Sequence, residues 1–342
     1  MPIKASIIIS NYNYGRFVAA AIDSALGQDW PDKQIIVVDD GSTDDSRAVI
    51  SSYGPQVLPL FKENGGQTSA ANLALRHCTG DLIFFLDSDD ILLPNALTTV
   101  ARAWYQGVSK IQFPMTMIRE DGSDAGSIYP NFRKTQTPER VRRSMALTSF
   151  YVSSPTSGNA WARNFIDQVF PLPEDIRFFD GYLSSLSPFF GDVVTLTTPL
   201  VKYRINTNNF WTREFSPKLV ADAAEEEAAL GGRLNRFLDE KFGIRPVDHR
   251  KNFTYMMKRI VTKKFLPSRC DDTWQAVMWL SYRSIVNNPN LSLKTQLFVG
   301  LWFLAVWATP KFIAIRIVKL RFVPSYRPPI VGKLLKFSGW RG

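Results

Sequence analysis

Residues 81–90 read Asp-Leu-Ile-Phe-Phe-Leu-Asp-Ser-Asp-Asp, and the prediction of the fold starts from this stretch. Its apolar run, residues 82–86, is typical of a strand that is buried on both faces of a parallel sheet. The run ends abruptly in the acidic cluster 87–90, and Pro94 suits the first turn of a following helix. The stretch therefore predicts a strand-helix unit whose strand ends in carboxylates.

Two earlier segments repeat this pattern. Residues 6–10 form an apolar run before a turn-rich cluster, and residues 34–38 form another before Asp39 and Asp40. Helical segments follow at residues 19–26, 46–53 and 68–77. Strands that alternate with helices in this way predict a parallel α/β sheet, whose strand carboxyl ends meet at one ligand-binding edge. We therefore expect the two acidic clusters to converge there.

The composition is that of a soluble globular chain, with 342 residues, of which 45% are hydrophobic and 21% charged. The two cysteines, Cys78 and Cys270, cannot form a disulfide framework, so we expect a reducing compartment. The first apolar run is too short for a secretory signal peptide.

Charge divides the chain into two parts. Residues 1–200 hold 16 Lys and Arg against 21 Asp and Glu, a net charge of −5, whereas residues 201–342 hold 25 against 10, a net charge of +15. The two values sum to the formal +10 of the whole chain. Anionic membrane and nucleic acid are both candidate partners of the basic part.

An apolar segment lies within the basic part. Residues 297–308 are twelve apolar residues, fewer than the ~20 that a membrane-spanning helix needs. Pro310 interrupts the run, and lysine and arginine side chains are then mixed with apolar and aromatic ones. We expect residues 211–342 to form a helical, basic region that associates with a membrane interface at 293–325. A buried core helix is the alternative.

Asp87 and Asp89 can supply oxygen ligands to one hard divalent cation, Mg²⁺ or Mn²⁺. A cation that bridges a diphosphate neutralises the charge that develops on a departing nucleoside diphosphate. The sequence offers few ligands to metals that prefer sulfur or imidazole, because the chain has only two histidines and no Cys/His cluster. An ordinary acidic turn is the alternative, and the position of the pair at the sheet edge favours the metal.

Other side chains at the same edge suit a nucleotide. The Asp40 carboxylate can accept a hydrogen bond from a base or a ribose, and Gly41 lets the backbone pass close to a ligand. A turn that caps the next helix is the alternative. Tyr12 offers a ring for stacking on a base, unless it belongs to a plain surface turn. No Gly-x-Gly-x-x-Gly follows the first strand and no Gly-Lys-Ser/Thr occurs, which argues against a dinucleotide dehydrogenase and a P-loop enzyme.

Four motifs carry a family resemblance. They occur in this order: Ser-Ile-Ile-Ile-Ser-Asn-Tyr-Asn (6–13), Val-Val-Asp-Asp-Gly-Ser-Thr-Asp-Asp-Ser (37–46), Glu-Asn-Gly-Gly-Gln-Thr-Ser-Ala-Ala-Asn (63–72) and Phe-Leu-Asp-Ser-Asp-Asp (85–90). With them the chain resembles the family 2 glycosyltransferases, strongly over residues 3–105 and more weakly to 209. The resemblance implies an α/β GT-A fold, a Rossmann-like nucleotide-binding sheet flanked by helices, with a C-terminal helical extension. The glycosyltransferase domain would be 1–210, with a nucleotide-sugar-binding half at 1–105 and an acceptor-binding half at 106–210.

The resemblance also assigns roles to single residues. Asp89 would be the main metal ligand, with Asp87 close to the metal and the ribose. Gly158 and Trp161 would lie at the acceptor site, although Trp161 could equally be a core residue on a helix. Asn206 stands where the family often has a histidine, so a contact with the metal is left open. The donor-binding residues that the resemblance implies are Ser10, Tyr12, Asp40, Gly66, Asn72, Asp87 and, on the diphosphate, Arg204.

The family inverts the configuration of the sugar, which needs a carboxylate base near the acceptor hydroxyl. Asp180 is the predicted base, and Phe179 stands before it in place of a glutamate that the family usually has. A helix N-cap is the alternative interpretation of Asp180. Three other acids are alternative bases: Asp175, Glu174 and, more remotely, Asp192.

These observations predict an inverting, metal-dependent glycosyltransferase of the bacterial surface-polysaccharide type. It would move a sugar from a nucleoside-diphosphate sugar, with a UDP-sugar favoured, to a hydroxyl of a glycan or lipid-linked acceptor. We expect a peripheral position on the cytoplasmic face of the cell membrane, bound to anionic lipid and not to nucleic acid. One alternative is a sugar-nucleotide nucleotidyltransferase, which would need a lysine-bearing, Gly-rich loop after the first strand. The other is a basic nucleic-acid-binding protein, for which no reading motif is present.

Overall fold

The computed structural model describes residues 3–132, 136–176, 178–205, 215–288, 291–323 and 326. The chain forms two compact units. Unit 1 contains Met1–Val141 and Val152–Asn209, and unit 2 contains Arg142–Tyr151 and Phe210–Gly342. Asn206 and the last two residues of the predicted interface segment lie outside the described residues.

Unit 1 is built on a seven-stranded sheet. In spatial order its strands are β10 (Asp192–Thr195), β6 (Val108–Gln112), β9 (Asn159–Ala162), β4 (Leu82–Asp87), β1 (Ala5–Asn11), β2 (Lys33–Asp40) and β3 (Leu58–Lys62). β1 is parallel to both of its neighbours, β2 and β4, and β2 is parallel to β3. This confirms the predicted parallel arrangement, because the three apolar runs of the sequence lie side by side at the centre.

Helices pack on this sheet through the apolar faces that their sequences provide. Ile7 and Ile9, at alternate positions of β1, share one buried cluster with Val18 and Ile22. The helices of unit 1 are α1 (Gly15–Leu26), α2 (Ser46–Ser51), α3 (Gly66–Leu75), α4 (Ala96–Ala103), α6 (Arg163–Val169) and α7 (Phe179–Leu186), while α5 (Pro138–Thr148) continues from Val141 of unit 1 into Arg142 of unit 2. The core therefore fixes the strands whose ends carry the acids.

One strand of the sheet runs in the opposite direction. β9 is antiparallel to both β4 and β6, whereas β6 is parallel to β10. The sequence of residues 161–169 predicts a helix over this whole range, which is wrong for its first two residues, because the helix begins only at Arg163. All four residues of β9 are buried between two strands, and sheet pairing there outweighs the local helical pattern.

A second, four-stranded sheet completes unit 1. Its order is β5 (Ile91–Leu92), β11 (Val201–Arg204), β7 (Met115–Ile118) and β8 (Asp124–Tyr129). β7 and β8 form an antiparallel pair joined by a turn at residues 121–123, where Gly122 has a φ of +85°. This sheet brings β11 next to β5, directly after the acidic end of β4.

Unit 2 is helical in its described part. Its helices are α8 (Pro217–Phe242), α9 (Phe253–Phe265), α10 (Trp274–Val286), α11 (Leu293–Ala308) and α12 (Lys311–Phe322). Met256 and Ile260 of α9 share a buried cluster with Val277 of α10 and with Val299 and Phe303 of α11. None of the described helices is both long enough and apolar enough to span a bilayer.

Candidate active site

The ends of three central strands meet at one edge of the large sheet. Ser10 pairs with Val38 on one side and with Asp87 on the other, and Asn11 pairs with Asp39. The side chain of Tyr12, just beyond β1, is 47% exposed. The convergence of the two acidic clusters, predicted from the apolar runs, is confirmed.

Asp40, at the end of β2, is almost completely buried and holds the loop before α3. Its carboxylate accepts hydrogen bonds from the backbone N–H groups of Gly65 and Gly66, at 3.0 and 2.7 Å, and from Lys62 Nζ at 2.6 Å. Gly66 has a φ of +86°, a left-handed conformation that favours glycine. In this structure Asp40 and Gly66 therefore shape the loop, and their contact with a donor stays a prediction.

Asp39, also at the end of β2, is fully buried, and both of its carboxylate oxygens accept hydrogen bonds. Its carboxylate accepts from Asn11 Nδ2, from the Ser42 backbone N–H and from Arg47 Nε, all within 3.0 to 3.1 Å. Burial alone would raise the pKa of Asp39, but these hydrogen bonds from Ser42, Arg47 and Asn11 hold it below its usual value. The Asp39 carboxylate at the end of β2 therefore has a structural role.

Asp87, at the end of β4, has a different environment. Its backbone N–H donates to Ser157 Oγ at 3.0 Å, and its carboxylate accepts from Gln67 Nε2 at 3.2 Å. Burial and the nearby charges of Asp89 and Asp180 raise the pKa of Asp87 to about 8. Carboxylates from β4 and from α7 are therefore close enough to repel one another.

Asp90 belongs to the same group, although we had not singled it out. It is fully buried, and its Oδ1 atom accepts from the Arg204 backbone N–H at 2.9 Å. Burial and the charges of Asp89 and Asp87 raise its pKa well above the usual range. We call Asp87, Asp89, Asp90 and Asp180 the acidic cluster.

Asp180 lies in the first turn of α7 and is partly buried. Burial raises its pKa, while a backbone hydrogen bond from Gly181 and attraction to Lys110 act in the opposite direction. Lys110, in β6, is fully buried and donates to the hydroxyls of Ser153 and Ser184, at 2.6 and 2.9 Å. Ser184 stands one turn after Asp180 on α7, so Lys110 helps to fix the helix that presents the predicted base.

The alternative bases lie elsewhere. Asp192 begins β10, and because β10 is parallel to β6 and β4, it is at the opposite edge of the sheet from Asp87. It accepts a hydrogen bond from the Tyr105 hydroxyl at 2.8 Å. Glu174 and Asp175 are exposed on the segment before α7. Among the four acids considered, Asp180 is the one whose charge contributes visibly to the raised pKa of Asp87.

Three residues predicted to line the donor or acceptor site, Trp161, Gly158 and Asn72, are buried and contact other parts of the protein. The Trp161 side chain is 1% exposed, with the Lys110 Nζ atom 5.0 Å from its ring centre, so this ring is closed to a sugar. Gly158 is buried, and a Cβ atom there would lie 2.5 Å from Ser154 Cβ, so close packing requires glycine. Asn72 bonds the backbone N–H and C=O of Leu172, at 2.9 and 2.8 Å, and ties α3 to the segment before α7.

Arg204 lies at the acidic cluster but its guanidinium points to backbone carbonyls. Nε donates to the Asp89 carbonyl at 2.9 Å, and Nη1 donates to the carbonyls of Arg119 and Glu120, at 3.3 and 2.8 Å. The side chain also stacks over the Phe17 ring, 4.7 Å from its centre. Arg204 therefore joins the end of β4 to the β7–β8 turn, and its predicted contact with a diphosphate would require these bonds to rearrange.

The chemistry of the acidic cluster fits a hard cation. All its side-chain donors are carboxylate oxygens, which Mg²⁺ and Mn²⁺ accept. The buried Asp90 Oδ2 atom has no hydrogen-bond partner in the described part of the chain. Within residues 3–326, where described, no group of three or more His, Cys, Asp or Glu is arranged to hold a metal by itself. A cation at Asp87 and Asp89 would therefore take further ligands from a diphosphate and water.

Sequence reasoning missed several neighbours of the acidic cluster. Tyr203 of β11 and Tyr129 of β8 both have pKa values raised, first by burial and then by acids of the cluster. Gln67 contacts Asp87 from the start of α3. Gln67 and Asp90 stand inside the quoted motifs and could have been found there, whereas the tyrosines reach the site only through the pairing of the second sheet.

Comparison with known proteins identifies the family. The profile of glycosyl transferase family 2 matches residues 6–164. The chain belongs to glycosyl transferase family 2. It is 34% identical over 215 residues to an uncharacterized glycosyltransferase of Nostoc sp., and the match covers 60% of this chain and 66% of that relative. In two Rickettsia glycosyltransferases the matched segment spans 29% of the relative's length.

Solved structures show the fold of this family 2 chain. It is similar to S. aureus TarS 1-349 in complex with UDP-GlcNAc, with a TM-score of 0.54, 16% identity and coverage of 93% and 91% of the two chains. It is also similar to the mannosyltransferase PcManGT from Pyrobaculum calidifontis in complex with GDP-Man and Mn²⁺, with a TM-score of 0.52, 14% identity and coverage of 99% and 85%. The predicted α/β GT-A fold is therefore confirmed.

Proposed function

We propose that this family 2 chain is an inverting, metal-dependent glycosyltransferase that uses a nucleoside-diphosphate sugar. The observation that carries the proposal is the meeting of Asp87 and Asp89, from the end of β4, with Asp180, from the start of α7. Two of these groups suit a cation and the third suits a proton acceptor, and one reaction needs both functions together.

The metal would be Mg²⁺ or Mn²⁺, held by the carboxylates of Asp89 and Asp87. When bound, it supplies positive charge that neutralises the diphosphate as the bond between the anomeric carbon and the diphosphate oxygen breaks. The presence of Mn²⁺ with GDP-Man in PcManGT supports this choice of ion. The carboxylates of the acidic cluster also repel one another, and a bound divalent cation would remove that repulsion.

The donor would occupy the edge formed by β1, β2 and β4. Tyr12 is exposed enough to stack on a base, and the loop that Asp40 holds at Gly65 and Gly66 borders the same edge. TarS was solved with UDP-GlcNAc and PcManGT with GDP-Man, so a nucleoside-diphosphate sugar fits, and we favour a UDP-sugar.

Asp180 would act as the base. The acceptor hydroxyl gives its proton to the Asp180 carboxylate while its oxygen bonds to the anomeric carbon from the face opposite the diphosphate. The bond from that carbon to the diphosphate breaks with its electron pair, and the configuration inverts. A raised pKa makes Asp180 a better proton acceptor than an exposed carboxylate. Lys110 and Ser184 hold the helix that carries it.

The acceptor would be a hydroxyl of a glycan or lipid-linked molecule in cell-surface polysaccharide synthesis. We place the enzyme at the cytoplasmic face of the cell membrane. The support is the charge of the chain, since residues 201–342 carry a net +15 that suits anionic lipid.

Thermal shift with UDP-, GDP- and dTDP-sugars, each with and without Mn²⁺, tests the donor and the metal together. We expect one nucleotide class to raise the melting temperature only when Mn²⁺ is present, and Asp89→Ala to abolish that dependence. A shift of equal size without any divalent cation would contradict the role of the metal. The absence of a shift with all three classes would contradict the role of the donor.

A further inference from the structure

α11 is apolar on both sides, but only one side is covered by unit 2. The buried residues of α11 are Thr295, Val299, Trp302, Phe303 and Val306, and the last four belong to the hydrophobic core of unit 2. A second set remains 46% to 71% exposed, and it consists of Leu293, Leu297, Leu301, Leu304 and Trp307. At 100° per residue, this second set falls within an arc of about 120°. We call it the leucine face.

A continuous face of this kind is unusual on a protein surface. Single exposed leucines need no explanation, but a contiguous apolar patch marks an interaction site. The helix would be about 24 Å long at 1.5 Å per residue, which is shorter than the ~30 Å hydrocarbon core of a bilayer. The face is therefore suited to lie along an apolar boundary.

The sequence around and after the leucine face carries charge of one sign. After Asp272 the sequence has ten Lys and Arg and no acidic residue. Acids of unit 2 pair with basic residues that precede this segment, among them Glu225 with Arg269, Glu227 with Lys258, and Asp272 with Arg259. A second copy of the chain at this face would bring two positive segments together, whereas an anionic surface would be attracted.

Aromatic residues of α10 add a second feature of the same kind. Trp279 and Tyr282 are more than half exposed and stack with their ring centres 5.9 Å apart. Val286 continues this exposed stripe one turn further along the helix. Amphipathic rings with an apolar body and a polar tip are enriched at the boundary between lipid and water.

We infer that the leucine face of α11 is the surface by which unit 2 binds an anionic lipid bilayer. Its leucines and Trp307 enter the outer part of the acyl region, and the exposed Lys311 and Arg316 of α12 contact lipid phosphates. The inference deepens the proposed location at the membrane. It does not depend on sugar transfer, because binding is measured without donor or acceptor.

Co-sedimentation of the full chain with vesicles tests the inference. The vesicles contain phosphatidylcholine alone or phosphatidylcholine mixed with phosphatidylglycerol. We expect strong, salt-sensitive binding to the mixed vesicles and weak binding to phosphatidylcholine. The double substitution Leu297→Ser and Leu301→Ser should weaken binding by about 10-fold or more, because two large apolar side chains no longer enter the lipid.

Leu58→Ser is the matched control, since Leu58 is an exposed leucine of β3 in unit 1, and it should leave binding unchanged. Lys311→Gln with Arg316→Gln should weaken binding to the mixed vesicles by about 10-fold at low salt. Circular dichroism of each variant must match that of the wild type, as expected for changes at exposed positions.

Equal binding of the wild type and of the double leucine variant would overturn the inference. So would equal binding to both kinds of vesicle, because anionic lipid would then not be recognised. Self-association in the absence of vesicles that the leucine substitutions abolish would assign the face to a second copy of the chain and also overturn it.

Discussion

The two strands that flank β1 in the large sheet, β2 and β4, both end in aspartates, yet the carboxylates at the two ends have opposite environments. At the end of β2, Asp39 and Asp40 accept hydrogen bonds from backbone N–H groups and from cationic side chains, and the pKa of Asp39 is lowered. At the end of β4, burial and mutual repulsion raise the pKa values of Asp87 and Asp90. The first pair stabilises the fold, whereas the second group, with its raised pKa values, suits a positively charged ligand.

This difference distinguishes two interpretations of an acidic strand end that the sequence alone cannot tell apart. An acidic strand end can be a turn with its own partners or a site for a ligand. The distinction comes from where the neighbouring donors point, because a carboxylate that already has three partners has little capacity left for a ligand. Substitutions at the two ends should therefore affect different quantities.

The largest effect is expected at Asp89. Asp89→Ala should reduce sugar transfer by about 10³-fold or more, because the main proposed ligand of the cation is lost. The free energy of unfolding should stay the same or rise, since one of several repelling charges is gone. Turnover assays and urea denaturation measure the two quantities. Asp167→Ala, at an exposed carboxylate of α6, is the control, and wild-type turnover in Asp89→Ala would refute the metal site.

Asp180→Asn should lower kcat by about 10² to 10⁴-fold while donor binding is retained. The amide keeps the shape of the side chain but cannot accept the proton. Asp175→Asn serves as the matched control, because Asp175 is an exposed acid of the segment before α7 and was an alternative base. If Asp175→Asn lost turnover and Asp180→Asn did not, the base would have to be reassigned. Donor binding is followed by nucleotide titration.

At the end of β2 the main effect should be on stability. Asp40→Ala should lower the free energy of unfolding by about 2 kcal/mol or more. The substitution leaves Lys62 and the N–H groups of Gly65 and Gly66 without their carboxylate. Urea denaturation compared with Asp89→Ala would show the contrast directly. An equal loss in both variants would remove the distinction between the two strand ends.

The smallest expected effect concerns Asp39 and pH. Because its pKa is lowered in the folded chain, its contribution is present above the unfolded value, near 3.8, and is lost as the pH falls through the folded value. The difference in unfolding free energy between the wild type and Asp39→Asn should be about 1 kcal/mol from pH 7 to about pH 5 and shrink below about pH 4. A difference that grows towards acidic pH would contradict this assignment. Denaturation at a series of pH values measures it.

Much of the fold could be predicted because its signals are local. The apolar runs of β1, β2 and β4 and the acids that follow them are adjacent in sequence, and the parallel sheet aligns their ends. Other features depend on distant pairing. β9 has only four residues and runs backwards, so the helical pattern of the residues that follow it hid the strand. Tyr129 and Tyr203 approach the cluster through strands of the second sheet, and no local pattern indicates that contact.

The reversed direction of β9 has a consequence for how this chain can tolerate changes in loop length. In a parallel strand, only the loop after the strand reaches the carboxyl edge of the sheet. Because β9 is reversed, the segment before it, with Ser157 bonded to the Asp87 backbone, lies at that edge. Insertions at residues 154–158 should thus disturb catalysis, whereas insertions directly after Ala162, the last residue of β9, lie at the opposite rim. In a library of glycine insertions, we expect activity to be lost in a short range of positions just before β9 and retained directly after it.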